Sequence, residues 1–183
     1  ASSNYSYLMI CHSSKFKEYA QLKLDIFAAF TNNHRVTIVK RGKHKRAMFT
    51  TGGHPEFELY RKDYYDSENV KHVKYHHLDR LTMKSLAFWF GDDGGRSSNK
   101  GLKIFTNDFT RSEVEMICKW FKDRHNIVCW PVRSNWESKK EQWATFFSSQ
   151  TSRDFAEMIL PWLHPVLRYK LEGVYTKDPQ RLY

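Results

Sequence analysis

The chain has 183 residues, 40% hydrophobic and 16% aromatic, which is enough to bury a core and too much for a disordered polymer. Its 30 Lys+Arg against 20 Asp+Glu leave a formal net charge of +10, so an anionic partner is expected and nucleic acid is the first candidate. No apolar run has transmembrane length, the opening residues lack the apolar stretch of a secretory signal, and three cysteines without a Cys-x-x-Cys pair argue against a disulfide scaffold or a thiolate zinc site.

In chain order, Tyr5–Cys11 is dense in β-formers and predicts a strand. Ser13 or Ser14 then caps a helix to about Phe30, with Phe16, Ala20, Leu24 and Phe27 on one face. Arg35–Lys40 and Lys45–Thr51, around Arg41-Gly42-Lys43-His44, predict a β-hairpin with a basic tip. A helical segment is expected from His54 to Asp66. The run Leu81–Asp93 predicts a helix capped by Thr82, apolar from Leu86 to Phe90 and therefore buried on nearly all sides. Leu102–Asn107 predicts a strand, and Thr110-Arg111-Ser112-Glu113 is a capping box that opens a helix with Val114, Ile117, Trp120 and Phe121 on its apolar face. Val128–Val132 and Gln142–Ser148 predict two more strands, and Thr151 starts a last helix through Leu163.

Strand, helix, two strands and helix thus occur twice around one apolar helix. That order predicts a diverged duplication within a single domain at 1–183, with a first pseudo-repeat at 1–80 and a second at 81–175 that carries the apolar helix at 82–93.

Asp92 and Asp93 end that helix, where the macrodipole is already negative. Two adjacent acids add mutual repulsion. A hard divalent cation such as Mg²⁺ would offset the charge. An acidic turn that stops a core helix with a Gly94-Gly95 cap explains the same residues, and their chemistry alone leaves both readings open.

The stretch Leu86-Ala87-Phe88-Trp89-Phe90-Gly91-Asp92-Asp93-Gly94 resembles the LAGLIDADG motif of homing endonucleases, in the single-chain branch of phage and organelle introns. The resemblance extends to Leu81-Thr82, to Phe109-Thr110 with Glu113-Val114-Glu115, to Tyr169-Lys170-Leu171 and to Ser13-Ser14-Lys15 with Lys17-Glu18-Tyr19, and so covers nearly the whole chain. It implies an α+β fold of duplicated αββαββα halves with antiparallel saddle sheets. It further implies close helix packing through Ala87 and Gly91, and a metal held by Asp93 with Asp92 beside it. Lys170, with Lys71 as its first-half counterpart, would be a catalytic lysine; Lys71-His72-Val73-Lys74 lacks the family's usual proline there.

The family's chemistry takes a carboxylate from each of two motif helices, and this chain shows one such motif. The resemblance places the other before Ala1. Supply by another polypeptide, a stretch of this protein preceding Ala1, or recruitment to a non-catalytic role would each account for that. In every case a partner segment or polypeptide is expected to supply the first motif helix or cover an apolar patch around Leu86 and Phe90. Metal-dependent, site-specific cleavage of double-stranded DNA is the first expected function. A non-catalytic scaffold on structured RNA, maturase-like or within a ribonucleoprotein such as an organellar ribosome, is the second. Either fits an intracellular setting, such as an organelle matrix or the cytoplasm of a bacterium or phage-infected cell, and neither involves a membrane.

Cationic residues complete the reading. On the hairpin, Arg35, Thr37, Val39 and Arg41 share one face, and Lys43, Lys45 and Arg46 follow at and after the tip. A two-stranded ribbon fits a DNA major groove. Arg96, Lys100, Lys103, Arg133, Asn135, Lys139 and Lys140 are the second-half counterparts. Arg and Asn suit base edges, and Lys suits phosphates. Cys118 and Cys129 are expected to be core thiols.

Overall fold

The computed structural model describes residues 5–97, 101–135 and 141–174. The chain divides into two compact units, residues 1–70 and 71–183.

In the first unit, β1 (Met9–Ser13) leads through a 3₁₀ turn to α1 (Lys17–Ile26), followed by β2 (Thr37–Arg41), β3 (His44–Thr50) and α2 (Pro55–Tyr64). The antiparallel sheet has the order β1-β3-β2. The first strand begins later than its β-formers predict, because Met9 already pairs with Thr50 at the end of β3. Tyr5 and Tyr7 precede the ladder and are exposed. The first helix also stops short of Phe30. After Ile26 the chain tightens into a 3₁₀ turn at Ala28–Phe30, which sets the Phe30 ring 4.9 Å from His54 and 5.1 Å from Phe57. Tertiary packing, not helix propensity, decides that end. The core between sheet and helix is Ala20, Leu24, Val36, Ala47 and Phe49, flanked by Ile10 and Phe27. His54 caps α2, its Nδ1 accepting from the Glu56 N–H at 3.2 Å.

The second unit opens with α3 (Tyr75–Asp79), a short helix that the sequence pattern does not announce, and α4 (Met83–Asp93). Thr82 caps α4 as expected, its Oγ accepting from the Ser85 N–H at 3.2 Å. There follow β4 (Gly94–Arg96), β5 (Leu102–Phe105), α5 (Arg111–His125), β6 (Cys129–Arg133), β7 (Trp143–Phe147), α6 (Ser149–Ile159) and 3₁₀ turns at Leu160–Trp162 and Pro165–Leu171. The antiparallel sheet runs β4-β5-β7-β6. Its last three strands repeat the order β1-β3-β2, with a helix after the first strand and another after the third in both units.

The core of this unit is aromatic. Phe147 stacks on Phe155 at 4.6 Å, and Phe121 meets both edge-on at 5.2 and 5.7 Å. Buried Ser152 donates to the Phe147 carbonyl at 3.0 Å and accepts from the Leu102 N–H at 2.8 Å, tying α6 to β5 without an orphaned polar atom. Cys118 and Cys129 are buried free thiols.

One expectation about α4 fails. Leu86 and Phe90 do not form an exposed patch; both are fully buried. They point to the helical layer of their own unit, where Phe90 meets Phe155 edge-on at 5.6 Å. Ala87 and Gly91 are buried too, while Phe88 and Trp89 are half-exposed, so the helix is not covered on all sides.

Candidate nucleic-acid faces and carboxylate site

The hairpin of the first unit closes over the two residues Gly42-Lys43, since Arg41 pairs with His44. Gly42 takes φ +60°, which a residue without Cβ enters at little cost. Because the register is fixed, faces can be assigned. Thr37, Val39 and Arg41 share the outward face with His44, Arg46, Met48 and Thr50, and with Cys11 and Ser13 of β1. Ala47 and Phe49 alternate with these and are buried against α1. The backbone leading into β2 is held from below. Gln21 of α1 accepts the Val36 N–H at 3.3 Å and donates to the His34 carbonyl at 3.3 Å, while Asn33 accepts the Arg35 N–H at 3.1 Å. The sequence pattern singled out neither Gln21 nor Asn33, since their partners depend on where α1 meets the loop. Lys45 does not join the outward cations. It pairs with Lys40 and so projects from the opposite face, and Lys43 sits at the turn.

The second sheet distributes its charges differently. Register puts Gly95, Lys103, Phe146 and Trp130 in one outward row, and Phe105, Ala144 and Val132 in the next. Lys103 is thus the only predicted cation of this half on the outward face of the described strands. Arg96 pairs with Leu102 and Arg133 with Trp143, which belong to the helix-side rows. Arg96 donates to the Glu172 carbonyl at 3.0 Å. Asn135 is exposed just after β6. Lys100, Lys139 and Lys140 lie outside the described residues.

At the end of α4 both carboxylates, Asp92 and Asp93, are exposed. The chain does not stop there in a Gly-Gly turn. Gly94 enters β4 directly, and a Cβ on it would strike the ring and carbonyl of Phe90. Lys170, carried by the 3₁₀ turn Pro165–Leu171, binds the helix end. Its Nζ donates to the carbonyls of Gly91 and Gly94 at 2.7 Å each and approaches that of Asp92 at 3.4 Å. An ammonium group has three N–H donors, and these carbonyls use them. A cation here also opposes the negative end of the macrodipole. Burial lowers the Lys170 pKa below its usual range, and the charges of Asp92 and Asp93 act against that fall. The structure therefore joins Lys170 to the backbone of the acidic pair across 76 to 79 residues of sequence.

Lys71 sits elsewhere on the second unit, exposed, with its Nζ 5.7 Å from the centre of the Phe109 ring. The segment beside it is anchored by Glu113, which accepts from the Val73 N–H at 3.0 Å and meets His72 Nδ1 at 3.1 Å. The other oxygen of Glu113 closes the capping box, accepting from the Thr110 N–H at 2.7 Å.

Comparison with known proteins sets this geometry in context. Residues 2–155 match the LAGLIDADG DNA endonuclease family. The chain is 29% identical over 136 residues to the cytochrome b mRNA maturase bI2 of Debaryomyces hansenii, covering 73% of this chain and 50% of that protein. It is 29% identical over 111 residues to the intron-encoded endonuclease ai4 of Dictyostelium discoideum, covering 58% and 67% respectively. The chain thus spans about half the length of the Debaryomyces relative. Among solved structures, the homing endonuclease I-WcaI bound to its DNA recognition sequence superposes with a TM-score of 0.80 at 22% identity, over 92% of this chain and 76% of that one. Mesophilic variants of the homing endonuclease I-DmoI superpose with a TM-score of 0.53 at 12% identity, over 85% and 80%.

Proposed function

This chain belongs to the LAGLIDADG DNA endonuclease family, and from that membership we propose that it binds double-stranded DNA and contributes one carboxylate site to a metal-dependent phosphodiesterase. The observation that carries the reading is the end of α4: two exposed carboxylates on a backbone clamped by a lysine.

The donor set fits a hard divalent cation such as Mg²⁺. Asp93, with Asp92 beside it, offers carboxylate oxygens to solvent, and water can complete the shell. The carbonyls of Gly91 and Gly94 are already committed to Lys170, so the carboxylates rather than these backbone oxygens are the candidate ligands. When bound, such a cation lowers the pKa of its water and stabilises charge on a leaving oxygen. The chain's own contribution is placement. Lys170 fixes the carbonyls around Asp92 and Asp93 and reduces the negative potential there before any cation arrives. Lys71, exposed over Phe109 in the second unit, is a candidate for a phosphate contact. Arg35, Thr37, Arg41 and Arg46 supply the duplex-binding face, and Lys103 a further phosphate contact.

Double-strand cleavage takes a second carboxylate from a second motif helix. That second helix, whether on this protein or on a partner, is part of this proposal, as is an intracellular setting such as an organelle matrix. Among the described residues no helix is long and apolar enough to cross a membrane.

The test is cleavage of target duplex with Mg²⁺, in the presence of a polypeptide bearing the other motif helix. Asp93→Asn is expected to lower the rate by at least about 100-fold while duplex binding persists. An undiminished rate in that variant would remove Asp93 from the chemistry. A second reading, an RNA-binding scaffold, is favoured by the likeness to a cytochrome b mRNA maturase. It predicts tighter binding to structured RNA than to duplex DNA at matched salt, with no response to Asp93→Asn.

A further inference from the structure

Two of the three thiols lie in the second unit and take no part in the chemistry proposed above. Cys118 sits on α5 and Cys129 opens β6, and both are buried, at 8% and 6% exposure. Cys118 shares one face of α5 with buried Val114 and Phe121. Cys129 pairs with Phe147, a fully buried position on the helix side of the sheet.

The turn between α5 and β6 sets the two thiols level. Asn126 ends α5 in the left-handed region at φ 54°, and the Ile127 N–H bonds back to the Phe121 carbonyl at 3.2 Å. From that bond Cys118 lies three residues back along the helix, roughly 4.5 Å. Cys129 lies two residues on along the strand, roughly 6.6 Å. The chain runs in opposite senses on the two sides of the turn, so the side chains arrive at the same level between helix and sheet. There the two thiols hydrogen-bond to each other. That bond lowers the pKa of Cys118, with burial acting against it, and raises that of Cys129, where burial adds to the rise. Cys129 is thus the donor, and thiolate character falls on Cys118.

We propose that Cys118 and Cys129 are a redox-reactive pair that a hydroperoxide closes into a reversible disulfide between α5 and β6. The Cys118 thiolate attacks one peroxide oxygen. An S–O bond forms, the O–O bond breaks, and the departing oxygen takes up a proton. Cys129 sulfur then displaces the hydroxyl from the Cys118 sulfenic acid. The S–S bond forms, the S–O bond breaks, and the hydroxyl leaves as water with the Cys129 proton. Two electrons pass from the thiols to the peroxide. A small oxidant suits a buried pair, and disulfides inside cells are typically transient and redox-sensing. The proposal does not depend on the cleavage reading.

The test is mass spectrometry of the full chain carrying Cys11→Ala, which leaves this pair as the remaining thiols, after treatment with hydrogen peroxide without denaturant. The expected result is a loss of about 2 Da, loss of both titratable thiols and a peptide pair joined between residues 118 and 129. Dithiothreitol should restore the starting mass. Cys129→Ala in the same background should stop at the Cys118 sulfenic acid, a gain of about 16 Da that dimedone traps. Tryptophan fluorescence checks that each variant is folded. Both thiols still titratable in the treated, folded chain would overturn the proposal. So would Cys118 oxidised past the sulfenic stage with Cys129 left free, or a disulfide that joins separate molecules.

Discussion

The two sheets share a strand order but not a surface. Both bury small and apolar residues against their helices, Ala47 and Phe49 in the first unit, Leu102, Ile104 and Phe147 in the second. On the outward side the first presents Arg41, His44 and Arg46 among Thr37, Val39, Met48, Thr50, Met9 and Cys11, and the second presents Phe105, Phe146 and Trp130 around Lys103. Packing fixes the buried positions of the inward rows, because a buried charge would cost several kcal/mol, and the charged members of those rows, Lys40, Lys45, Arg96 and Arg133, lie at or near strand ends. The outward rows are free to diverge, and they differ in charge and in aromatic content. Under the proposed function, electrostatic attachment to a phosphate backbone draws mainly on the cations of the first face.

The largest expected effect breaks the electrostatic half of that contrast. Replacing Arg35, Arg41 and Arg46 together by Ala should lower duplex affinity roughly 100-fold near physiological salt and reduce the salt slope by about three units. Lys45→Ala, on the opposite face of the hairpin, should do much less. Titrations at several salt concentrations measure both. Equal slopes in the triple variant and the parent would show that the first face does not bind the duplex.

A glycine pair sharpens the contrast in stability. In Gly101→Ala the new methyl meets the Phe146 ring and, closer still, the Phe147 carbonyl, with no flexible end to yield. The expected loss is about 3 kcal/mol. In Gly42→Ala the surrounding space is open, and only the left-handed φ of +60° is strained, for about 1 kcal/mol. Denaturant unfolding compares the two. Similar losses would mean that the ring over Gly101 moves aside and the second face is softer than its packing indicates.

The local parts of this architecture are readable from sequence. The Thr110–Glu113 capping box, the Thr82 cap and the Gly42 hairpin depend on residues two to four apart, and all three appear in the structure. The adjacent acids Asp92 and Asp93 stand out because two carboxylates at a helix C-terminus oppose the macrodipole, and the structure places both, exposed, at the end of α4. What was not legible is set at long range. Gly94-Gly95 has poor β-propensity, and β4 exists because β5 pairs with it. Lys45 and Arg46 look alike in a basic run, and only the two-residue turn decides which faces outward. Trp130 and Phe105 sit in strands that alternate with buried Cys129 and Ile104, and sequence alone does not say which row meets solvent. The backbone role of Lys170 needs the 3₁₀ turn brought against α4.

The smallest effect separates the units by their carboxylate ties. In the first, Glu58 accepts the Ser6 hydroxyl at 2.7 Å, and that bond lowers its pKa. The contact is half-buried and a neutral amide oxygen can still accept that hydroxyl, so Glu58→Gln should change the melting behaviour little. In the second, burial pushes the Glu113 pKa up, but its bonds from Thr110, Val73 and His72 outweigh burial and hold it below the ordinary 4.5. A carboxylate whose folded pKa is depressed adds stability above the unfolded value and loses it as pH falls through the folded one. The second unit should therefore weaken below about pH 4.5. Glu113→Gln should cost about 1 kcal/mol at neutral pH and flatten that acid decline. Tryptophan fluorescence reads the second unit alone, so melts over roughly pH 3 to 6 isolate the effect. An acid decline that persists in Glu113→Gln would place it on other carboxylates, and would leave the segment around Lys71 held by its neighbours rather than by Glu113.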